Sequence, residues 1–501
     1  MKNNDFDFIK KKFDTCENEL PCSLETKMLA DKLVTVKRNK FIEFKPRKNY
    51  KPLLSAAACF IVVIGLVFAA TAGNLFGSNK VTEFKDYNQI NDRLESLEKV
   101  GYPDQLGAGN FYSQMYQEED GVEQPDEIKT DGKYIYYGFN KLYRESENVR
   151  NVYIFSAEDS SSDPVAVIYN VVPKEMSLCG LFLYENRLIV CAESDNYTTF
   201  IKIYDVTDPT NPVLFSEFEQ QGEYGKAYML DNVLYVASGY KVTPYTDGSR
   251  VPTIVNNGKS LQLDAKDIVC FDNAAFAQFA VINEMDVKEG KLLNPKAVLG
   301  GSADVYCTKE YVYVNEYIKG EDYDEPERAV ESAVKMSLDE HKFSYAKDKE
   351  INSYMSAGVD IGKGSSYHSV LYKTGDYILS IGRSYTGVSK DEILLFDKDF
   401  KYLDCLVPDA TYLDIDKGHL AICDDGKLFA VSACFEDAGE GAVTFKIEDG
   451  KLVLAEEYVN ENSNHMYQGR CLIIGDYLYS FDHNHDEQDD ERPELFVYNC
   501  R

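Results

Sequence analysis

The fold of this chain is decided by a short hairpin sequence, Ile128-Lys129-Thr130-Asp131-Gly132-Lys133-Tyr134-Ile135-Tyr136-Tyr137. An Asp-Gly pair stands here between two β-prone runs. Both central residues of a type I′ turn need positive φ, so an Asp-Gly pair in this setting is a strong local signal for a β-hairpin. The stretch therefore predicts two antiparallel strands joined by a tight turn.

The same unit recurs along the chain. Further copies have a turn pair followed by an apolar, β-prone run, and these pairs are Glu185-Asn186, Asp231-Asn232, Lys309-Glu310, Gly375-Asp376, Asp425-Gly426 and Gly475-Asp476. Two more strand-like runs follow each hairpin, such as Asn151 to Phe155 and Pro164 to Tyr169 after the first one. Seven units of four strands, with no long helix between them, predict an all-β fold, a seven-bladed β-propeller.

The last unit ends at Cys500-Arg501, before a fourth strand can form. In a closed ring that strand must come from elsewhere in the chain, because an open edge leaves backbone groups unpaired. The stretch Phe111 to Tyr116, just before the first hairpin, is the candidate for this strand.

Charge is distributed unevenly along the chain. The net charge is -31, yet residues 1–51 hold thirteen Lys or Arg against eight Asp or Glu, so the remainder holds about -36. A surface this acidic repels phosphate backbones, which argues against nucleic acid as a partner. Cations and basic partners fit it better.

Residues 52–73 form an uncharged apolar run of 22 residues. As a helix it would be roughly 33 Å long, enough to cross a bilayer core of about 30 Å. The basic cluster precedes it, so the positive-inside rule predicts a single-pass signal-anchor in the cell membrane, a cytoplasmic N-terminus and an extracellular propeller. Ala70-Thr71-Ala72 leaves a cleaved leader as the alternative.

These observations divide the chain into four parts. Residues 1–51 are predicted to be a basic cytoplasmic tail, 52–73 the transmembrane anchor, 74–109 a linker or stalk helix, and 110–501 the propeller. Helical spacing of apolar residues between Phe84 and Val100 supports the helix in the linker, which either forms a stalk or packs under the propeller.

The run from Tyr112 to Tyr136 resembles the opening signature of secreted and surface bacterial and archaeal proteins with a C-terminal β-propeller domain distantly related to WD repeats. The matching residues are Tyr112, Ser113, Gly121, Val122, Asp126, Lys129, Thr130, Asp131 and Gly132. Met115-Tyr116, Glu118 and Glu123-Gln124 depart from the family pattern. The resemblance implies a propeller fold at the cell surface and implies no particular reaction.

Motifs for enzymatic chemistry are missing from the sequence. It has no Gly-x-Ser-x-Gly elbow, no phosphate-binding Gly-Lys-Ser/Thr loop and no dinucleotide fingerprint. His341, His368, His419 and His465 have no orienting partner nearby in sequence. The twelve cysteines include no Cys-x-x-Cys pair, so they indicate no disulfide framework. The chain is therefore expected not to be an enzyme.

Insertions fall between the second and third strands of three units, at Gly239 to Ala275, Asn315 to Glu331 and Phe481 to Arg492. These connections share one face of a propeller, which we call the insertion face and expect to be the working surface. Asp482, His483, His485 and Asp486 lie in the last insertion and are the one candidate metal cluster, since imidazole and carboxylate groups bind divalent ions. A solvated acidic loop is the alternative, and no other cofactor is expected.

The sequence thus predicts a membrane-anchored extracellular propeller that acts as a binding or scaffold module. A surface protein, a peptide or a polysaccharide is the expected partner on the insertion face. The alternative is a surface hydrolase or metal-dependent enzyme on the same face, for which polar titratable side chains should converge at the ring axis.

Overall fold

Antiparallel hairpins make up most of the structure. The computed structural model describes residues 81–98, 121–138, 151–157, 162–172, 176–194, 197–242, 250–272, 274, 276–316, 333–346, 370–383, 391–398, 401–413, 420–422, 428–435, 439–460, 470–483 and 493–500. The turn of the hairpin at Asp131 is centred on Gly132 and Lys133 instead of on the predicted Asp131-Gly132 pair, because Thr130 pairs with Ile135 and the Asp131 N–H donates to the Tyr134 carbonyl at 3.4 Å. Only Gly132 has a positive φ, of 86°, and the Asp131 carboxylate accepts the N–H groups of Lys133 and Tyr134.

The described chain begins with a short strand and a helix, followed by two blades. The bounds of these elements are β1 Val81–Glu83, α1 Tyr87–Glu98, β2 Ile128–Thr130, β3 Tyr134–Gly138, β4 Val152–Ser156, β5 Ala166–Ile168, β6 Met176–Tyr184, β7 Arg187–Ser194, β8 Thr198–Asp205 and β9 Val213–Gln221. Strands β2 to β5 form blade 1, and β6 to β9 form the core of blade 2.

Blade 3 contains the longest described insertion. Its elements are β10 Glu223–Leu230, β11 Val233–Lys241, β12 Thr253–Asn256, β13 Lys259–Gln262, a 3₁₀ turn Ala265–Asp267, β14 Ile268–Phe271, β15 Gln278–Asp286, β16 Lys291–Leu292 and β17 Lys296–Leu299. The insertion between β11 and β15 forms additional strands. Its β12–β13 hairpin adds to the edge of blade 2 through β9, and β14 pairs in parallel with β17 of blade 3.

Three further blades and a smaller sheet complete the chain. Their strands are β18 Tyr306–Cys307, β19 Tyr311–Asn315, β20 Ala333–Ser337, β21 Phe343–Tyr345, β22 Val370–Thr374, β23 Tyr377–Arg383, β24 Asp391–Asp397, β25 Tyr402–Leu406, β26 Tyr412–Leu413, β27 Ala421–Ile422, β28 Leu428–Phe435, β29 Gly439–Glu448, β30 Lys451–Val459, β31 Arg470–Ile474, β32 Tyr477–His483 and β33 Pro493–Asn499. Blade 4 is β18–β21, blade 5 is β22–β25, blade 6 is β26–β30, and β31–β33 form the C-terminal sheet.

The predicted fold class needs two corrections. Within the described residues six blades have four or more strands, and the C-terminal sheet has three, so the prediction of seven four-stranded blades is wrong. The stretch 111–116, expected to supply the missing strand, lies outside the described residues. The prediction rests on hairpin signals, and a hairpin signal does not reveal how many strands join the hairpin in one sheet.

The second correction concerns the predicted linker helix. Strand β1 pairs with β14, and Ile90, Leu94 and Leu97 of α1 are buried in the same apolar cluster as the strands of blade 3. The tyrosine hydroxyl of Tyr87 also donates to the carbonyl of Leu263 at 2.7 Å. This segment is therefore part of the propeller, because its apolar face has a partner in blade 3.

The predicted single-pass membrane location is corrected as well. In the part of the chain that the structure describes, no helix has the length and apolar character needed to cross a membrane. The helix seen there, α1, has twelve residues. The predicted tail and anchor, residues 1–51 and 52–73, lie outside the described residues.

Apolar clusters lie between neighbouring sheets. Tyr136 of blade 1 packs with Leu181 of blade 2, and similar clusters join blades 2 and 3, 3 and 4, and 5 and 6. The C-terminal sheet contacts blade 6 on one side and blade 1 on the other, where the rings of Tyr137 and Phe481 stack with centroids 4.5 Å apart. Each fully buried side chain of this kind contributes about 1.5–3 kcal/mol, so the sheets are stable only when stacked.

Candidate functional site

A buried polar residue lies at the start of the third strand in five blades. These residues are Asn151, Thr199, Gln278, Asp391 and Glu440. They lie on the insertion face, because second-to-third connections and the crossovers from one blade to the next share that face. Four of the side chains bond to the chain that leads to or begins the next blade, through the contacts Asn151 Oδ1 with Asn170 N–H, Thr199 Oγ1 with the Gly222 carbonyl, Gln278 Nε2 with the Gly301 carbonyl, and Asp391 Oδ2 with Leu413 N–H in β26. At Glu440 the backbone carbonyl makes this contact, because it accepts the N–H of Asn460.

These contacts give the buried polar groups of the insertion face a structural task. A backbone N–H or carbonyl that is buried without a partner costs about 1–3 kcal/mol, and each contact supplies one. The clearest are the bond from Leu413 N–H to Asp391 Oδ2, at 2.7 Å, and that from Thr199 Oγ1 to Gly222, at 2.9 Å. The side chains of Asn151, Thr199, Gln278 and Asp391 therefore hold adjacent blades together.

The signature segment, residues 121–132, has a similar task. Its backbone bridges Glu123 to Met229 of blade 3 and Asp126 to Leu181 of blade 2. The Lys129 ammonium pairs with the Glu123 carboxylate at 2.5 Å and donates to the carbonyl of Gln124. The segment that precedes blade 1 is thus hydrogen-bonded to the innermost strands of blades 2 and 3.

A histidine with an orienting carboxylate appears between blades 3 and 4. His341, in the β20–β21 turn, has a φ of 53° and places its Nδ1 2.9 Å from Oε1 of Glu284 in β15. Glu284 is 1% exposed, and its other oxygen accepts a hydrogen bond from Asn294 Nδ2 at 3.0 Å. His341 has no orienting partner nearby in the sequence, because 57 positions separate it from Glu284 and no sequence motif connects the two residues.

This His–Glu pair does not lie on the insertion face. His341 is in a third-to-fourth strand turn, and those turns share the opposite face of a propeller. A buried carboxylate that fixes an imidazole ring is the arrangement of a general base. Burial raises the pKa of the Cys191 and Cys270 thiols, so neither of these cysteines is an activated nucleophile.

The predicted metal cluster is only partly described. Asp482 and His483 are the last residues of β32, where their backbones pair with Glu494 and Pro493. His485 and Asp486 lie outside the described residues. Elsewhere in the described chain no three His, Cys, Asp or Glu side chains come together as a metal site. The cluster at 482–486 stays a prediction.

The outer strand of blade 6 is longer than the outer strands of blades 1, 4 and 5, and no further strand pairs with it among the described residues. Strand β30 has nine residues and is the last strand of its sheet, whereas the outer strands of blades 1, 4 and 5 have three, three and five. Blades 2 and 3 have their edges extended by additional strands. Val453 and Leu454 in the middle of β30 are 39% and 41% exposed. Long apolar edges of this kind are templates for pairing with another chain.

Comparison with known proteins agrees with this geometry. Residues 112–358 match the family model described as a Beta propeller domain. The chain contains a beta-propeller domain of this family. The resemblance predicted from the run Tyr112 to Tyr136 is thus confirmed, and the match begins at the same residue.

The beta-propeller domain also has archaeal relatives. An uncharacterized protein of Archaeoglobus fulgidus is 27% identical over 214 residues, which cover 40% of this chain and 32% of the relative. An uncharacterized protein of Methanocaldococcus jannaschii is 25% identical over 198 residues, covering 38% of this chain and 27% of the relative. The chain spans about a third of the length of these relatives.

Solved structures share a general likeness with the propeller. A chain from the mitotic checkpoint complex aligns with a TM-score of 0.33 and 10% identity, covering 77% of this chain and 96% of that one. Saccharomyces cerevisiae Sqt1 aligns with a TM-score of 0.31 and 9% identity, covering 76% and 97%. Similarity at this level carries no argument about function.

Proposed function

We propose that this protein is a binding or scaffold module that holds another polypeptide in an extended conformation, without catalysing a reaction. The observation that carries the proposal is the nine-residue strand β30 at the outer edge of blade 6, which has no strand partner on its outer side among the residues that the structure describes. An extended segment that adds to such an edge gains backbone hydrogen bonds along its length, and pockets for alternate side chains give it specificity.

The direction of the backbone groups in β30 supports strand addition. The N–H of Leu452 points away from β29, since it donates to Asp404 Oδ2 of blade 5 at 2.8 Å. Backbone N–H direction repeats every second residue in a strand, so the N–H of Leu454 points outward too. The N–H of Leu454 can therefore donate to an added strand without losing a bond to β29. Beyond Leu454 a β-bulge at Ala455 interrupts this alternation, since Leu454 pairs with Phe445 and Glu456 with Thr444.

The assignment of a non-catalytic role is supported by the described polar groups of the insertion face. Four of the five side chains at the starts of third strands, those of Asn151, Thr199, Gln278 and Asp391, bond to the chain that leads to or begins the next blade. A hydrolase on this face would need such groups to converge on a substrate. Their engagement in structural contacts favours binding over catalysis.

A displayed library of random twelve-residue peptides tests the proposal. We expect peptides to be enriched on the full chain and to lose binding to the Leu454→Pro variant, because proline removes the outward N–H while leaving the β29 ladder intact. Circular dichroism and the melting temperature show whether the variant is folded. An absence of enrichment, or equal binding to Leu454→Pro, would contradict the proposal.

A second candidate function is hydrolysis that uses His341 as a general base. The observation in its favour is the bond between His341 Nδ1 and the buried Glu284, which fixes the ring and leaves the side chain 35% exposed. A panel of p-nitrophenyl esters and peptide anilides tests it with the full chain. Turnover that disappears in His341→Ala and persists in Lys342→Ala would support hydrolysis, and absence of turnover on the whole panel would count against it.

A divalent cation at Asp482, His483, His485 and Asp486 remains a proposal as well. Carboxylate and imidazole groups in one loop suit Zn²⁺ or a similar ion. Metal analysis of the purified full chain, compared with the His483→Ala and His485→Ala double variant, tests it. Equal metal content in both proteins would argue against the site.

A further inference from the structure

We infer that the edge of blade 6 selects a cationic extended segment of another protein, with basic and apolar side chains alternating. This inference rests on the proposed function and specifies its partner. It depends on the charges that surround β30, on the exposed apolar side chains in the middle of the strand, and on the long edge itself.

Carboxylates outnumber ammonium groups around this edge. On residues 446–459, which span the end of β29, the turn and β30, and on β25 of blade 5, the acidic residues are Asp404, Glu448, Asp449, Glu456 and Glu457, and the basic ones are Lys446 and Lys451. Two of the acids have a structural contact, since Asp404 accepts the N–H of Leu452 and Glu457 accepts that of Asp409. The remaining three acids have no ion-pair partner among the described residues, so they can attract a cationic strand.

The same charges argue against a second copy of this chain as the occupant. Two β30 edges placed side by side would bring Glu456 and Glu457 of one copy close to the same acidic edge of the other. Like charges on neighbouring strands are destabilising, and the chain as a whole has a net charge of -31. A partner strand with basic side chains would avoid this repulsion, because its positive charges are attracted to the acidic residues of the β30 edge.

The apolar part of the edge defines the rest of the partner. Val453 and Leu454 are exposed next to each other, and Val459 is exposed near the end of the strand. Because neighbouring residues of a strand point to opposite faces, Val453 and Leu454 offer apolar contact on both faces of an added strand. A segment with valine or leucine between lysines or arginines satisfies both the apolar and the acidic positions.

Three capped synthetic peptides test the inference with the full chain. Their sequences are four repeats of Lys-Val, of Thr-Val and of Glu-Val, which keep the strand propensity similar and change only the charge. We expect the Lys-Val peptide to bind about tenfold more tightly than the Thr-Val peptide at low salt and to lose most of this advantage at high salt, since screening weakens exposed charge pairs. The Glu-Val peptide should bind most weakly.

Charge-reversal variants test whether the acidic residues around β30 cause the preference for the Lys-Val peptide. Glu448→Lys with Glu456→Lys should weaken Lys-Val binding about tenfold and strengthen Glu-Val binding, because the field at the edge changes sign. The matched control is Glu217→Lys with Glu219→Lys, which makes the same charge change on β9, where β12 pairs at Glu219. The control should leave the affinity for Lys-Val within about twofold of the unmodified chain.

The outcomes separate this inference from the proposed function. Equal affinity for the Lys-Val and Thr-Val peptides, with both lost in Leu454→Pro, would overturn the charge preference and leave strand binding intact. Binding of no peptide, or binding unaffected by Leu454→Pro, would overturn both. Dimerisation of the full chain that Leu454→Pro abolishes would identify a second copy as the occupant and would also overturn the inference.

Discussion

Arg470 and Asp126 form a two-point ion pair although 344 positions separate them in the chain. Arg470 Nε lies 3.2 Å from Asp126 Oδ1, and Nη2 lies 2.7 Å from Oδ2. Arg470 begins the C-terminal sheet, and Asp126 precedes the first strand of blade 1. The Arg470 side chain is 5% exposed. The pair therefore joins the two ends of the ring in a largely dehydrated setting.

Replacing Asp126 by Ala should lower the free energy of unfolding by about 3 kcal/mol, because it leaves a buried guanidinium without its carboxylate. Urea denaturation of the full chain measures the loss. The control is Asp304→Ala, which breaks the more exposed pair with Lys226 and should cost less than about 1 kcal/mol. Similar losses in the two variants would show that the Arg470 pair does not close the ring.

Replacing Leu94 by Ala should destabilise the protein by about 2–5 kcal/mol, since Leu94 of α1 is fully buried against blade 3. A helix that formed a separate stalk would tolerate the change. Asp92→Ala, on the exposed side of the same helix, is the control and should change stability by less than about 0.5 kcal/mol. The melting temperature and urea midpoint of both variants distinguish a packed helix from a free one.

Replacing Gly225 by Ala should cost about 1–3 kcal/mol or more, because a Cβ atom there would lie 2.3 Å from the carbonyl oxygen of Ala303. The backbone of Ala303 lies in the segment between blades 3 and 4, so the contact has little freedom to relax. Gly132→Ala is the comparison variant. A Cβ atom at Gly132 would meet no neighbouring atom, so the substitution should cost only the strain of alanine at a positive φ, about 1 kcal/mol. Equal stability of Gly225→Ala and the unmodified chain would contradict the close approach.

The Asp205 carboxyl should make stability depend on acid pH. The Thr207 hydroxyl, and after it the Thr207 N–H, bonds to Asp205 Oδ1 and lowers the pKa of Asp205 to about 2. A carboxyl with a lowered folded-state pKa contributes stability above its unfolded pKa and loses it as pH falls through the folded value. The contribution should thus be complete at neutral pH and disappear between about pH 4 and 2.

The size of this effect is limited by solvent, because the Asp205 side chain is 35% exposed. We expect Asp205→Asn to lose about 1 kcal/mol at pH 7 and less near pH 2. Thr207→Val is the matched variant, and an NMR titration should show its Asp205 pKa nearer the ordinary value. A constant difference between Asp205→Asn and the unmodified chain over this pH range would refute the assignment.

Local signals in the sequence were sufficient to predict where the hairpins lie. Turn pairs such as Asp231-Asn232 and Gly475-Asp476 fall between paired strands in the structure, because turn chemistry and β propensity act over a few residues. The same signals did not decide the number of strands in a sheet. The insertion after Gly239 supplies β12, β13 and β14, because β12 pairs with β13 and with β9 of blade 2, and β14 pairs with β17 of blade 3.

The candidate sites were harder to predict than the fold. The pair of His341 and Glu284 and the pair of Arg470 and Asp126 each join residues that are far apart in sequence. No spacing rule connects such partners, so only the three-dimensional packing of the sheets reveals them. The exposed edge at β30 was equally hidden, because a strand sequence does not show whether its outer side has a neighbour.

The sequence by itself determined that this protein is built from repeated antiparallel hairpins with an acidic surface, because those properties depend on short-range propensity and on composition. The tertiary structure decided which polar residues hold the crossovers, that helix α1 packs on blade 3, and that blade 6 has the longest unpaired outer strand among the described sheets. These features depend on contacts between sheets, and such contacts exist only after the blades have stacked around one axis.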